Sequence, residues 1–272
     1  MLKVRNVDVS YRSRRGRNDV LKDVSLDIGA GESVAVIGES GSGKTTLART
    51  ILGVVTPRSG EILFEGRDIA RLNGRQRTEF RRAGDIDYVF QDTLQSLDPA
   101  ITVGNSTIEP LLVRTSMSRR AAAERSRELF DRFGLDQSLF DKRPSQLSGG
   151  QRQRIGLIRA VIQHPKLLIL DEPLSALDAA NRASTIDLLV ELNRQGIALL
   201  LITHDIGSAT AVTTRTSVLF RGRIVEEAPT WDLIREPAHD YSKLLVGSAG
   251  SLFTHGSTKD ERTTLRRRLE IS

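Results

Sequence analysis

Cysteine is absent from the 272 residues. That excludes disulfides, thiolate metal sites and a cysteine nucleophile, and it fits a cytosolic protein. Long hydrophobic runs are absent too. The longest, around Ala198-Leu199-Leu200-Leu201-Ile202, is strand-sized, well short of the ~20 apolar residues a membrane-spanning helix needs. The start of the chain, Met1-Leu2-Lys3-Val4, carries no signal-peptide apolar region, and no internal repeat occurs. Aromatic residues do not interleave with the basic runs Arg12-Ser13-Arg14-Arg15-Gly16-Arg17 and Arg266-Arg267-Arg268. The formal charge of +6 permits contact with nucleic acid or an anionic membrane face, while the plainer reading of the two basic runs is a solvated loop and tail. With 39% hydrophobic and 27% charged residues, the chain can bury a sizeable core as one large domain with a subdomain and tail.

What is present is a glycine-rich stretch, Gly38-Glu39-Ser40-Gly41-Ser42-Gly43-Lys44-Thr45-Thr46, which fits the phosphate-binding P-loop pattern. The apolar run Ser33–Ile37 before it reads as a buried parallel strand, and Lys44 to Leu52 after it reads as a helix stopped by Gly53. Strand, turn and helix in that order aim backbone N–H groups at one spot beside a positive helix N-terminus. Gly41 and Gly43 keep side chains out of a loop that must hug an anion and adopt positive φ. Lys44 supplies a point charge for the β- and γ-phosphates, and Thr45 a hydroxyl for Mg²⁺. The loop alone does not separate a kinase, a GTPase, a helicase or a transport ATPase.

Leu2 to Tyr11 and Val20 to Ile28 alternate as two strands around the basic loop, and Glu61–Phe64 and Asp87–Phe90 read as further strands. Over 92–165 strand signals give way to helical periodicity. The clearest helix follows Ser118 as N-cap and runs to Phe133, with Leu129, Phe130 and Phe133 inside and Arg119, Arg120, Glu124, Arg125 and Arg127 wet. A last helix begins near Gly149 and stops at Pro165. Strands return at Lys166–Leu170 and Ile197–Thr203 with a crossover helix over Asp187–Gln195, and a hairpin turns at Arg221-Gly222. Two short helices and a mobile polar tail close the chain. The expected domains are 1–247, a nucleotide-binding domain holding the helical subdomain 92–165, and the tail 248–272.

Leu167-Leu168-Ile169-Leu170-Asp171-Glu172 is an apolar strand ending in two carboxylates. Beside a P-loop it reads as the Walker B strand, with Asp171 on Mg²⁺ and Glu172 placed to polarise the attacking water. In Leu147-Ser148-Gly149-Gly150-Gln151, a serine and two glycines open a helix. The plain reading is an N-cap. The other is a second anion-binding helix N-terminus without its own lysine loop, which suggests that each ATP is shared between two subunits.

These residues resemble the ATP-binding cassette (ABC) ATPases, whose LSGGQ signature Leu147 to Gln151 matches, and the likeness runs from Leu2 to about Gly247. It implies an α/β fold: a P-loop NTPase core of mainly parallel sheet with helices, an N-terminal antiparallel β subdomain and an inserted α-helical subdomain. It implies ATP and Mg²⁺ held by Gly38, Ser40, Gly41, Ser42, Gly43, Lys44, Thr45 and Thr46, with Ser148, Gly149, Gly150 and Gln151 covering a partner's nucleotide. It also implies adenine stacking on Tyr11, a Q-loop Gln91 touching Mg²⁺ or the attacking water, a D-loop at Asp178, which could also cap the helix starting near Ala179 with both roles holding together, and an H-loop His204 contacting the γ-phosphate and Glu172. A narrower likeness, carried by Phe90-Gln91-Asp92, Ser96-Leu97-Asp98-Pro99, Glu109-Pro110-Leu111-Leu112 and Glu236-Pro237-Ala238-His239-Asp240-Tyr241, is to the dipeptide, oligopeptide and nickel importer branch. Asp240 stands where that branch has Pro, and its cysteine-containing tail is missing. The implied role is the ATP-hydrolysing subunit of an importer for peptides or a chelated metal such as nickel, peripheral at the cytoplasmic face of the membrane. Its partners would be two transmembrane permeases, a second ABC ATPase chain (a heterodimer expected, a homodimer open) and, indirectly, an extracytoplasmic solute-binding protein, without nucleic acid. An exporter or release-system ATPase and a soluble nucleic-acid-associated ATPase are the alternatives.

Overall fold

Alternating apolar residues build the first two strands, and each strand breaks phase once. β1 (Leu2–Ser13) buries Leu2, Val4, Val7 and Val9, and β2 (Gly16–Ile28) buries Leu21, Val24, Leu26 and Ile28. The steps from Val4 to Val7 and from Leu21 to Val24 are odd, so one extra residue must be absorbed in each to keep the apolar set on one face. Asn6 (φ 47°) and Asp23 (φ 55°) absorb them in left-handed backbone, and the Asn6 amide donates to Asp23 Oδ1 at 2.8 Å. Both strands run further into the basic stretch than their sequence suggests, pairing Tyr11 with Asn18 and Arg12 with Arg17. Ladder hydrogen bonds hold those residues where no apolar pattern marks them.

The computed structural model describes residues 1–13, 16–90, 97–175 and 177–249, with Leu265 and Leu269. It divides into two units, Met1–Leu72 with Leu200–Ser272, and Asn73–Leu199. After β2 come β3 (Ser33–Ile37), α1 (Lys44–Ile51), β4 (Ser59–Phe64) and β5 (Arg67–Asp68). The second unit holds α2 (Gly74–Ala83), β6 (Ile86–Val89), α3 (Val103–Arg114), α4 (Arg119–Arg132), α5 (Gly149–Val161), β7 (Leu167–Asp171) and α6 (Ala179–Arg194). β8 (Ala198–Thr203) returns the chain to the first unit, followed by α7 (Ile206–Val212), β9 (Arg215–Phe220), β10 (Arg223–Pro229), α8 (Thr230–Arg235) and α9 (Asp240–Ser248). Leu265 and Leu269, in the stretch read as tail, are helical, and Leu269 is buried.

In the first unit one antiparallel sheet has the order β2-β1-β4-β5, and the other contains β10-β9-β3-β8. β3 pairs parallel with β9, Ile37 opposite Val218. Every residue of β3 and β8 is buried, which is why both read as unbroken apolar runs: a parallel strand covered on two faces has no wet side. The β9–β10 hairpin turns on Arg221 (φ 47°) and Gly222 (φ 83°), two positive φ values in succession, as a right-twisted two-residue turn requires.

In the second unit β6 and β7 pair in parallel, Tyr88 opposite Ile169. α4 buries Ala122, Ser126 and Phe130, and its C-cap Phe133 is buried as well, while Leu129 is only half-buried. Small residues at 122 and 126 let α3 approach, and Thr107 Oγ1 meets Ser126 Oγ at 2.6 Å. Arg125 and Arg127 are not on the wet side. Arg125 donates to the Ile162 carbonyl at 2.9 Å, and the Arg127 guanidinium lies 4.1 Å over the Phe140 ring. α5 ends at Val161, short of Pro165, because His164 (φ 54°) reverses the chain first.

Candidate nucleotide site

In the first unit β3 delivers Gly38 to a place with no room for a side chain. A Cβ there would lie 2.3 Å from the Leu219 carbonyl oxygen. Gly43 has φ 113°, and a Cβ on it would meet Leu21 Cδ2 at 2.8 Å. Gly41 has open space around it but φ 85°, so its constraint is conformational alone. Lys44 is buried at 7% exposure, and its ammonium donates to the carbonyls of Gly38 (2.7 Å) and Glu39 (3.0 Å). The loop thus wraps its own cation. α1 starts at Lys44 with no side-chain cap from Gly43, presenting the positive end of the helix to the loop. Ser42 Oγ is buried without a hydrogen-bond partner among the described residues. A buried hydroxyl in that condition calls for a polar ligand, and with the glycine cradle it fits a phosphate.

The outer bend of the loop is held by a residue that sequence reasoning missed in this role. The Tyr241 hydroxyl on α9 accepts a 2.7 Å hydrogen bond from the Glu39 N–H. Its ring is 1% exposed and stacks on Phe220 at 4.1 Å, and burial pushes its phenol up to about 12. The sequence marks it only as the end of the stretch Glu236 to Tyr241, and nothing there ties it to a loop 202 positions away.

Tyr11 lies on β1 near the hairpin end, 41% exposed, as an aromatic face open to solvent must be. His204 follows buried β8 and is itself exposed. The next residue, Asp205, caps α7 by accepting from the N–H groups of Gly207 (3.0 Å) and Ser208 (3.1 Å). That cap fixes the backbone from which the imidazole projects.

In the second unit β7 carries Asp171 and the chain turns at once through Glu172, whose φ is 50°. Asp171 is 3% and Glu172 8% exposed. A left-handed glutamate after a buried strand is conformational strain of the kind found where side chains are aimed for chemistry. The Ser175 N–H (3.3 Å) and hydroxyl (3.0 Å) both donate to the Glu172 carbonyl and hold the turn. Tyr88 OH donates to Asp171 Oδ2 at 2.7 Å.

Ser148 and Gln151 cap α5 reciprocally. Gln151 N–H donates to Ser148 Oγ at 3.3 Å, and Ser148 N–H to Gln151 Oε1 at 2.9 Å. The two glycines between them differ. A Cβ on Gly150 would fall 2.5 Å from Asn181 Oδ1, whereas Gly149 is exposed with nothing within 4 Å. Asp178 caps α6, accepting from the Asn181 N–H (2.9 Å) and Nδ2 (2.7 Å), and those bonds hold its carboxyl below the usual aspartate range. Asp178 thus makes the expected cap. Gln91 and Ala176 lie outside the described residues, as do Asp92 and Ser96.

A buried strand, a glycine loop closed on its lysine and an uncapped helix start define a P-loop nucleotide-binding fold. Residues 21–175 match the family model described as ABC transporter. The chain belongs to that family and is an ABC ATPase. A Brucella ovis protein bearing the name peptide import ATP-binding protein is 37% identical over 267 residues, 98% of this chain and 83% of its own length. The glutathione import ATP-binding protein GsiA of Pectobacterium atrosepticum is 41% identical over 229 residues, 84% of this chain but 36% of GsiA. Among solved structures, the dimeric ATP-binding cassette MJ0796 bound to ADP and Pi superposes with TM-score 0.78 at 31% identity, covering 85% of this chain and 99% of that one. cbiO1 from Clostridium perfringens, part of the CbiONQ transporter complex, gives 0.76 at 28% identity, covering 93% and 95%.

Proposed function

We propose that this chain is the ATP-hydrolysing subunit of a peptide importer, docked at the cytoplasmic face on two separate permease subunits and paired with a second ABC ATPase chain, most simply a related but different one. The observation that carries the reading is the peptide-import relative aligned along 98% of the chain. Among the described residues no helix is long and apolar enough to cross a membrane, which accords with separate permeases. A chelated metal such as nickel was open on sequence grounds; the relatives' names favour peptides.

In this reading Lys44 neutralises the β- and γ-phosphates, and the Gly38–Thr46 loop wraps them with backbone N–H groups. Ser42 Oγ gains the partner that burial denies it. Thr45, Gln91 and Asp171 would hold Mg²⁺, which when bound offsets charge on the phosphate oxygens. Glu172 orients and polarises the attacking water, and His204 contacts the γ-phosphate. Tyr11 offers its exposed face to adenine. Ser148 to Gln151 of the partner cover the nucleotide, and exposed Gly149 lets that cover come close. Asp178, besides capping α6, lies at the dimer face. The stretch 92–165 acts as the helical subdomain that passes closure on to the permeases.

Glu172→Gln tests the chemistry. With its natural partner chain the variant should keep ATP, accumulate a closed dimer and stop turning over; normal steady-state hydrolysis removes Glu172 from its role. Import is tested by deleting the coding sequence in an auxotroph fed its amino acid only as di- or oligopeptide. Unimpaired growth rejects peptide uptake.

A further inference from the structure

We propose that Tyr88 is the positioning residue of the Asp171 carboxylate, fixing its rotation for the metal ion of the nucleotide site. This rests on the reading of Asp171 as the carboxylate that faces Mg²⁺. Tyr88 stands opposite Ile169 in the parallel β6–β7 pair. Asp171 lies two residues further on, about 6.6 Å along a strand, the reach of a phenol from its backbone. The hydroxyl donates to Asp171 Oδ2 at 2.7 Å. In this bond the phenol is the donor and the carboxylate oxygen the acceptor.

The tyrosine is itself held from two sides. Phe90 packs edge-on against its ring, with centroids 4.6 Å apart and planes at 82°. Its N–H donates to Asp87 Oδ1 at 2.9 Å, and Asp87 Oδ2 meets the Arg114 guanidinium at 3.3 Å. Arg114 also donates to Gln163 Oε1 at 2.6 Å. Gln163 in turn donates to the Pro110 carbonyl at 2.9 Å, which ties the chain of bonds to α3. A phenylalanine at 88 would keep the ring and its packing while losing only the donor. Asp171 is 3% exposed, so water is poorly placed to replace that donor.

The test uses the full chain with a non-hydrolysable ATP analogue and Mn²⁺ as the probe, read by electron paramagnetic resonance titration. Tyr88→Phe should weaken Mn²⁺ about tenfold, in line with other groups that orient a metal ligand. Its metal-free nucleotide affinity, measured in excess EDTA, should change by less than about twofold, since the donor removed is the one to the Asp171 carboxylate. Unchanged Mn²⁺ affinity in Tyr88→Phe overturns the proposal. Asp171→Asn separates the two levels. If it weakens Mn²⁺ and Tyr88→Phe does not, only the proposal falls; if neither does, the reading of Asp171 falls as well. A second measurement needs no variant at position 88. The protein has three tyrosines, so ¹³Cζ-tyrosine labelling gives three phenol signals, assigned through Tyr11→Phe and Tyr241→Phe. Adding Mg²⁺ to the nucleotide-bound protein should shift the Tyr88 signal, and a stationary signal rejects the coupling.

Discussion

The hydroxyl of Tyr241 and the backbone N–H of Glu39 meet at 2.7 Å across 202 positions of sequence. The bond fastens α9 to the bend of the glycine loop, where the main chain turns from β3 towards Gly41 and Gly43. Tyr241→Phe keeps the stack on Phe220 and removes one hydrogen bond, so it should lower stability by about 1 kcal/mol. The looser bend should also raise the dissociation constant for ATP severalfold. Chemical denaturation and a fluorescent-nucleotide titration measure the two effects, and an unaltered affinity would leave Tyr241 a purely structural residue.

The same phenol predicts an alkaline transition. Burial raises it from the ordinary 10.0 to about 12. Between those values the unfolded chain has released a proton that the folded chain still holds, so rising pH favours unfolding. The contribution is present in full below pH 10 and lost by pH 12, about 2–3 kcal/mol in all at 1.36 kcal/mol per unit. Unfolding curves over that window should fall more steeply for the natural protein than for Tyr241→Phe. Parallel curves contradict the prediction.

Gly149 and Gly150 should part company when each is changed to alanine. Gly150→Ala drives a Cβ to 2.5 Å from Asn181 Oδ1, and Asn181 is tied to Asp178 and to Arg154. Overpacking of that kind should destabilise by about 1–3 kcal/mol. Gly149→Ala meets nothing within 4 Å and should stay within about 0.5 kcal/mol of the natural protein. On the proposed reading it nonetheless loses hydrolysis, because the added methyl stands where a partner's nucleotide must approach. Thermal unfolding and ATPase assays of the two variants check both halves.

Lys44→Ala removes the cation that the loop encloses. Losing the charged partner of a buried phosphate costs about 2–5 kcal/mol, so ATP affinity should drop by more than about thirtyfold while the chain still folds. Equilibrium binding checks it, and unchanged affinity would take the loop out of the site.

How much could be read in advance followed the range of the contacts involved. β3 and β8 are apolar at every position because both faces are covered, and their runs announced them. The caps at Ser118 and Asp178 were legible because a cap reaches three residues. α2 was missed. Its sequence, GRQRTEFRRA, has no buried residue and so no apolar period; only the reciprocal cap of Asn73 and Gln76 marks its start. The phase breaks at Asn6 and Asp23 were equally hidden, since ordinary polar residues there carry the left-handed turn that glycine more often provides.

The sequence by itself determined the glycine loop with its lysine, the strand ending in Asp171 and Glu172, and the capped helix at Ser148. In each, the chemistry lies in contiguous residues whose order already dictates local backbone geometry. Only the tertiary structure decided that Tyr241 holds Glu39, that Tyr88 holds Asp171, and that Gly150 is required by packing while Gly149 is left open. Those relations join residues distant along the chain, and they exist only once β-sheet register and helix docking have brought the side chains within hydrogen-bond or van der Waals range.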